Sequence, residues 1–352
     1  MTDDGVRLPP VDWAAAGRWG GRLAPPGPAP TRAEAVDLVA GLRSAAERAR
    51  PLALRASRLT GALEAAGNTE AAARVLVVDR PGWAVAAAAS FAGLSGDSAR
   101  VAGNPLAAGV TAQAAAVLGL LAGKVLGQFD PYAHGAQPAG RLILVAPNVL
   151  HSERTLGVDP DDFRLWVSVH EQTHALQFAA APWLADHVRA EATALLREVA
   201  ATPPSDEASA VLGGLTRALR GRGGEWSLLD VLPGSQRVRV ERLTAVMSLL
   251  EGHADVTMDA VGRRDIPTVR TLRTRLDARR GTAKGPADLL LRRLLGLDAK
   301  LAQYRNGAAF VREVHRTGVG LLDAVWSSPD ALPLPGEIAD PPAWVRRVHG
   351  SP

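Results

Sequence analysis

Along most of the chain, apolar residues recur at helical spacing, and the strand-like runs are few and short. From Thr31 to Arg50 the stripe is Val36, Leu38, Val39, Leu42 and Ala45, with Thr31 as cap and Glu34 three positions on. Pro51 is expected to start a second helix, to about Ala66. Further helices are predicted over Ala84 to Leu94, Trp183 to Ala200, Val238 to Val261, Thr268 to Arg280 and Pro286 to Ala309. The most apolar run, Val110 to Val125, is interrupted by Thr111, Gln113, Gly119, Gly123 and Lys124 and is short for a membrane span. It reads as a buried core helix. Val75 to Val78 reads as a short strand and Arg141 to Asn148 as the best strand, bounded by turn residues. Gly127 to Tyr132 reads as a turn. Residues 9–30, rich in Pro and Gly, read as an irregular arm packed by Trp13 and Trp19, residues 203–224 as a loop or lid, and the tail from Ser327 as a surface strap. The fold class is mainly α with a small β-sheet, α+β, divided into a helical region 1–105 and a second region 106–352.

One predicted helix carries chemistry. Asp159 is its N-cap, Pro160 its first residue, and Asp161 and Asp162 face the positive end of the helix dipole. Phe163, Trp166, Val167, Val169, Ala175, Leu176 and Phe178 then cover most of its surface, so it is a buried helix. Within it lies His170-Glu171-Gln172-Thr173-His174. Histidines four apart project from one face, where both imidazoles reach one zinc ion at about 2.0–2.1 Å. Glu171 stands where it can take a proton from water activated by the metal. Burying two histidines and a glutamate without partners costs several kcal/mol, on the order expected for unpaired polar groups, and a metal removes that cost.

Composition narrows the chemistry. The 352 residues include no cysteine, which excludes thiolate ligands, disulfides and a cysteine nucleophile, so any metal must use histidine and carboxylate. Hydrophobic content of 47% and charged content of 22% are those of an ordinary globular protein. The net charge of +4 is small, and its excess gathers between Arg263 and Arg293 with few aromatics interleaved. That cluster reads as a solvated helical face, and no nucleic-acid partner is expected. Residues 1–13 contain Asp3 and Asp4 and no apolar run, so no signal peptide and no membrane partner is read, and a cytoplasmic location is expected.

A catalytic zinc needs a third protein ligand and an open position. Six residues after His174 stands Ala180, so a third histidine at that spacing is absent and a later carboxylate is required. Glu191 and Glu198 lie among charged and small residues and read as a solvated face. Glu251, in Leu249-Leu250-Glu251-Gly252-His253-Ala254-Asp255, sits on an otherwise apolar helix and is the expected ligand. Asp255, one turn on, is placed to accept the free N–H of a ligating histidine. The metal site thus falls between the active-site helix and a later helix. Tyr304, His253 and His315 are the candidates to stabilise an oxyanion.

With these residues goes a resemblance. The zinc motif set between Phe163-Arg164-Leu165-Trp166 and Gln177-Phe178, followed by Pro182-Trp183-Leu184 and Glu251-Gly252-His253-Ala254-Asp255, resembles the actinobacterial zincin-like metallopeptidase family. Asp79-Arg80-Pro81, Phe129-Asp130-Pro131, Val145-Ala146-Pro147-Asn148 and Lys300-Leu301-Ala302-Gln303-Tyr304 with Gly307 extend the similarity over most of the chain. It also resembles a branch of that family associated with biosynthesis of a deazaflavin coenzyme. The resemblance implies a zincin-like fold and a zinc-dependent hydrolase, a peptidase with Glu171 as general base, acting on peptide or protein. The alternative is a non-catalytic zinc-binding scaffold of the same fold. A strand beside the site, here the Arg141 strand, would align an extended peptide by edge pairing.

Overall fold

The structure is a computed structural model that describes residues 11–95, 105–132, 140–201, 233–280, 297–318 and 320–350. The stretch 203–224 read as a loop, and the part of the arginine cluster from 281 to 293, lie outside the described residues. The chain forms two compact units. One comprises Pro9–Arg189 and Ala254–Thr274; the other comprises Met1–Leu8, Ala190–His253 and Arg275–Pro352.

Helices predominate, with one small sheet, as the hydrophobic spacing predicts. In the first unit the sheet has three strands, β1 (Arg74–Val78), β2 (Gly127–Asp130) and β3 (Arg141–Val145), in the order β1-β3-β2. β1 runs parallel to β3, whereas β2 is antiparallel to it, with Gly127 opposite Leu144 and Asp130 opposite Arg141. The best strand of the sequence is therefore central and has no free edge; edge pairing falls to its neighbours, and β2 is one of them. Successive β3 side chains point to opposite faces. Ile143 and Val145 join an alanine-rich core built by α1 (Trp13–Leu23), α4 (Arg80–Ser95) and α5 (Pro105–Ala122). Across the sheet lies α7 (Pro160–Ala180), packed on β2, β3 and the long α2 (Arg32–Ser57). Shorter helices α3 (Thr60–Ala65) and α6 (Ala146–Leu156) fill in around α7.

Three local readings are corrected here. Residues 9–30 contain a real helix: Asp12 caps α1 by accepting from the Ala15 N–H, and Trp13 stacks on Phe91 at 5.3 Å. Pro51 does not break α2, because it lies on the exposed side, where the carbonyl it leaves without a donor can turn to water. Gly127 to Asp130 is a strand, formed because β3 offers a ladder that the four residues' own propensity would not predict. The apolar run forms α5, with Leu118 and Ala122 buried but Val117 half exposed.

Several words of the sequence hold this unit together. The buried Arg80 donates to the Asn148 side chain at 2.7 Å and to the carbonyls of Pro25 and Pro26. Asn148 in turn donates to the carbonyls of Ala122 and Val125. Asp130, fully buried, pairs with Arg141 at 2.7 Å. Asp162 accepts from both the backbone N–H and the hydroxyl of Thr268, anchoring the start of the helix Val269–Arg280 to that of α7.

The helix α8 (Leu184–Ala201) passes into the second unit, and α9 (Gly234–Asp265) leaves it. The Val269–Arg280 helix, α10, also spans the two, and the described residues of the second unit further form α11 (Leu297–Thr317), three short 3-10 turns and α12 (Pro341–His349). Glu191 and Glu198 are not a solvated face: both pair with Arg239 of α9. α9 and α11 cross at Gly252 and Gly307, where a Cβ on either would overlap the other helix's backbone. The tail is not a surface strap either. Trp344 is fully buried, its indole N–H donating to the Ala331 carbonyl at 2.8 Å and its ring against Phe310. Arg347 clasps the Glu337 carboxylate through two hydrogen bonds and also donates to the carbonyls of Asp330 and Leu332. Trp344→Ala should therefore lower stability by about 3–5 kcal/mol, the usual cost of emptying a buried aromatic site. Urea unfolding of the full chain measures it, and a loss under about 1 kcal/mol would mean that Trp344 is not core.

Candidate metal centre

The site is built on α7. Asp159 caps the helix, its side chain accepting from the Asp162 N–H at 3.0 Å, with Pro160 in the first turn, as the sequence predicts. From Leu165 to Ala180 every side chain is buried except those of His170, His174, Phe178 and Ala179. The first three are four residues apart and form one stripe, the only face left open on this stretch. Two buried polar neighbours are satisfied within the fold: Gln172 donates to the Ala46 carbonyl of α2, and Thr173 to the Val169 carbonyl one turn back.

The two imidazoles meet edge to face, with ring centres 4.6 Å apart and their Nε2 atoms 3.1 Å apart. What each Nδ1 does decides what those Nε2 atoms are. His174 Nδ1 lies 2.9 Å from the side-chain oxygen of the fully buried Gln177, and that oxygen accepts when Nδ1 carries the ring proton. His170 Nδ1 lies 3.2 Å from the Met258 sulfur, a weak acceptor. With a proton on each Nδ1, both Nε2 atoms present lone pairs to each other. Two such lone pairs repel at this distance unless a proton or a cation stands between them. Two nitrogens bound to one tetrahedral zinc are about 3.3–3.4 Å apart, so the spacing fits. One ligand atom each from His170, His174 and Glu251 all lie within 4.8 Å of one another. The donor set of two imidazoles and a carboxylate, without thiolate, is one that zinc accepts.

Sequence reasoning missed both groups that steer the histidines. Gln177 sits three residues after His174, a helical neighbour whose polar side chain within an apolar run was a usable signal. Met258 looked like a core residue of α9, two turns beyond Glu251 on the same face. Asp255, expected to accept a histidine N–H, is held by Arg273, which also binds Asp259 and lies over the Trp166 ring. Arg273 is thus a structural member of the arginine cluster rather than a solvated one.

Glu171 is buried, and its carboxylate lies against the backbone of β2 at Gly127. A Cβ at Gly127 would come 2.7 Å from Glu171 Oε1 and 2.7 Å from its Cγ, so any larger residue there would displace the Glu171 side chain. Of the residues expected near an oxyanion, His253 is buried with its ring against Trp326. It follows Glu251 by two positions, about 200° around the helix, and so faces the opposite side. Tyr304 falls on α11, but its side chain lies outside the described residues. His315 is half buried near the end of that helix.

No helix among the described residues is long and apolar enough to cross a membrane. Among curated proteins, none matches the chain. A crystal structure from Chloroflexus aurantiacus, provisionally named a hydrolase with a novel fold, is similar at a TM-score of 0.64 and 29% identity. The match covers 97% of this chain and 100% of that one. A sequence model of the zincin-like metallopeptidases matches residues 11–345. With nearly its whole length matched, the chain belongs to the zincin-like metallopeptidase family.

Proposed function

We propose that the protein is a zinc-dependent hydrolase of peptide bonds, with His170, His174 and Glu251 holding the ion and Glu171 as general base. The observation that carries this reading is the pair of facing Nε2 atoms, 3.1 Å apart, with a carboxylate beside them. The chemistry the ion supplies when bound is Lewis acidity, which polarises a carbonyl and acidifies water at the site. The rest falls to the chain. Gln177 and Met258 engage the Nδ1 atoms of the two histidines and so turn each Nε2 toward the place of the ion. Glu171 takes a proton from the attacking water at a carboxylate oxygen and passes it to the nitrogen of the departing amine. Gly127 fixes where that carboxylate sits. The flanking words of the sequence further suggest the actinobacterial branch associated with deazaflavin coenzyme biosynthesis, which would bear on the origin of the substrate and not on the chemistry.

Substitutions at three positions separate these roles. Glu171→Gln is nearly isosteric and removes only the base, so zinc content and Tm should stay near wild type. Peptide hydrolysis should fall roughly 10²–10⁴-fold. An active wild type that keeps its rate after this change excludes Glu171 as base; bound zinc with no hydrolysis across a broad peptide library supports a scaffold instead.

Gly127→Ala pushes on the flexible end of the Glu171 side chain. Its expected signature is unchanged zinc content and a rate lower by about 10²-fold, the order of loss for a misplaced catalytic group. Full activity in this variant would show that the contact does not position the base.

Gln177→Leu should weaken zinc binding roughly 10–100-fold in competition with a chelator, while Gln177→Glu, which keeps an acceptor, should restore much of it. Equal affinities in all three proteins would remove Gln177 from the site.

A further inference from the structure

The open stripe of α7 does not end at His174. Phe178 continues it, one turn or about 6 Å further along the axis. There it meets Phe129 of β2, ring centre to ring centre at 5.3 Å. Gly127 and Phe129 are two apart on the strand and so point to one face, about 7 Å from each other. The strand that holds the Glu171 carboxylate therefore also presents an aromatic ring toward the end of α7.

These two rings line a cavity of about 570 Å³. Pro182 and Ala185, just beyond α7, and Ala72, just before β1, are among its other walls, and the exposed Glu70 is the charged residue among them. The size is within the range of about 300–1,000 Å³ typical of ligand sites. The walls are fixed to the scaffold: Asn68, also at the cavity, donates to the Ala179 carbonyl at 2.9 Å, and Tyr132 donates to the Ala185 carbonyl at 3.2 Å. Burial pushes the Tyr132 hydroxyl up to about 12, so it remains a donor throughout the neutral range. Phe129 and Phe178 are both only half buried, so the cavity exposes aromatic surface that the fold itself leaves uncovered.

We propose that this cavity receives a bulky apolar side chain, aromatic or leucine-sized, of the peptide substrate, one or two residues from the bond that is cut. The inference rests on the hydrolase reading for its orientation, since an extended peptide advances about 3.3 Å per residue and the cavity begins about 7 Å along β2 from Glu171. The aromatic floor selects for apolar bulk, and the fixed walls set its size.

The test is equilibrium binding of blocked peptides, acetyl-Ala-Ala-X-Ala-Ala-amide with X as Phe, Leu, Ala or Lys, to the full chain carrying Glu171→Gln. That background prevents turnover. The Phe and Leu peptides should bind roughly ten- to a hundredfold more tightly than the Ala peptide, the worth of burying one such side chain. Adding Ala72→Trp, at an exposed wall position, should fill the cavity and abolish that preference while zinc content is unchanged. Phe178→Ala, checked for folding by circular dichroism, should reduce it as well. Equal binding of all four peptides, no binding, or a preference untouched by Ala72→Trp each overturns the proposal. The two readings fail separately. A preference lost on Ala72→Trp in a protein that neither holds zinc nor cleaves leaves the cavity assignment standing, whereas zinc-dependent cleavage indifferent to X removes it and spares the hydrolase.

Discussion

Two imidazole nitrogens held 3.1 Å apart are the constraint on which the centre of this molecule turns. The pair needs a proton or a cation between the two atoms, which apolar packing cannot supply. The surrounding choices follow from that need. α7 is buried along three sides so that its remaining stripe is aimed without freedom. Gln177 and Met258 occupy the outer nitrogens, and the chain lacks the cysteines that would offer a softer, closed site. A buried polar arrangement only partly satisfied is more costly than an apolar core, and α7 meets that cost in part: Gln172 finds its acceptor on α2 and Thr173 one turn back, while the Ser168 hydroxyl and the Trp166 indole N–H are buried without one.

The sheet serves the same centre from the other side. It is too small to be a platform, yet its antiparallel edge strand sets the depth of Glu171 through a missing side chain at Gly127. Asp130, at the far end of that strand, is locked to Arg141 of β3, and Arg141 also donates to the Ala86 carbonyl of α4. The strand's position is thus transmitted from the helical layer behind the sheet. In the second unit the same device recurs, where absent side chains at Gly252 and Gly307 bring α9 and α11 into backbone contact next to Glu251.

What could be read from the sequence was local. The cap at Asp159, the proline after it, the capping box at Thr31 and the spacing of His170 and His174 are all written within four residues, and each appears as expected. What could not be read depends on partners distant in the chain. β2 exists because β3 is beside it, and α1 because its small residues fit against α4 and α5, in spite of the low helix propensity of its glycines. Pro51 was read by the general rule that proline ends helices, whereas its exposed position removed the penalty. The mainly helical class survived these errors because they changed short elements and not the dominant spacing.

The clasp around Glu337 has a consequence for how far the chain can be shortened. Residues after Asp340 look like a dispensable proline-rich end, and by composition they would be the natural ones to trim. Removing them would take the indole from Phe310 and, with Arg347, the guanidinium from Glu337, whose side chain is largely enclosed. Burial opposes ionisation of that carboxyl, and it is the hydrogen bonds from Arg347 and the Leu334 N–H that hold it below its ordinary range. A trimmed chain would therefore lose the Arg347 cation and keep only the Leu334 N–H on that carboxylate, so the stability that the intact chain loses on acidification through the carboxylate range would shrink. The Pro341–His349 helix is thus tied to the interior by one buried side chain, Trp344, although its other residues are half-buried or exposed.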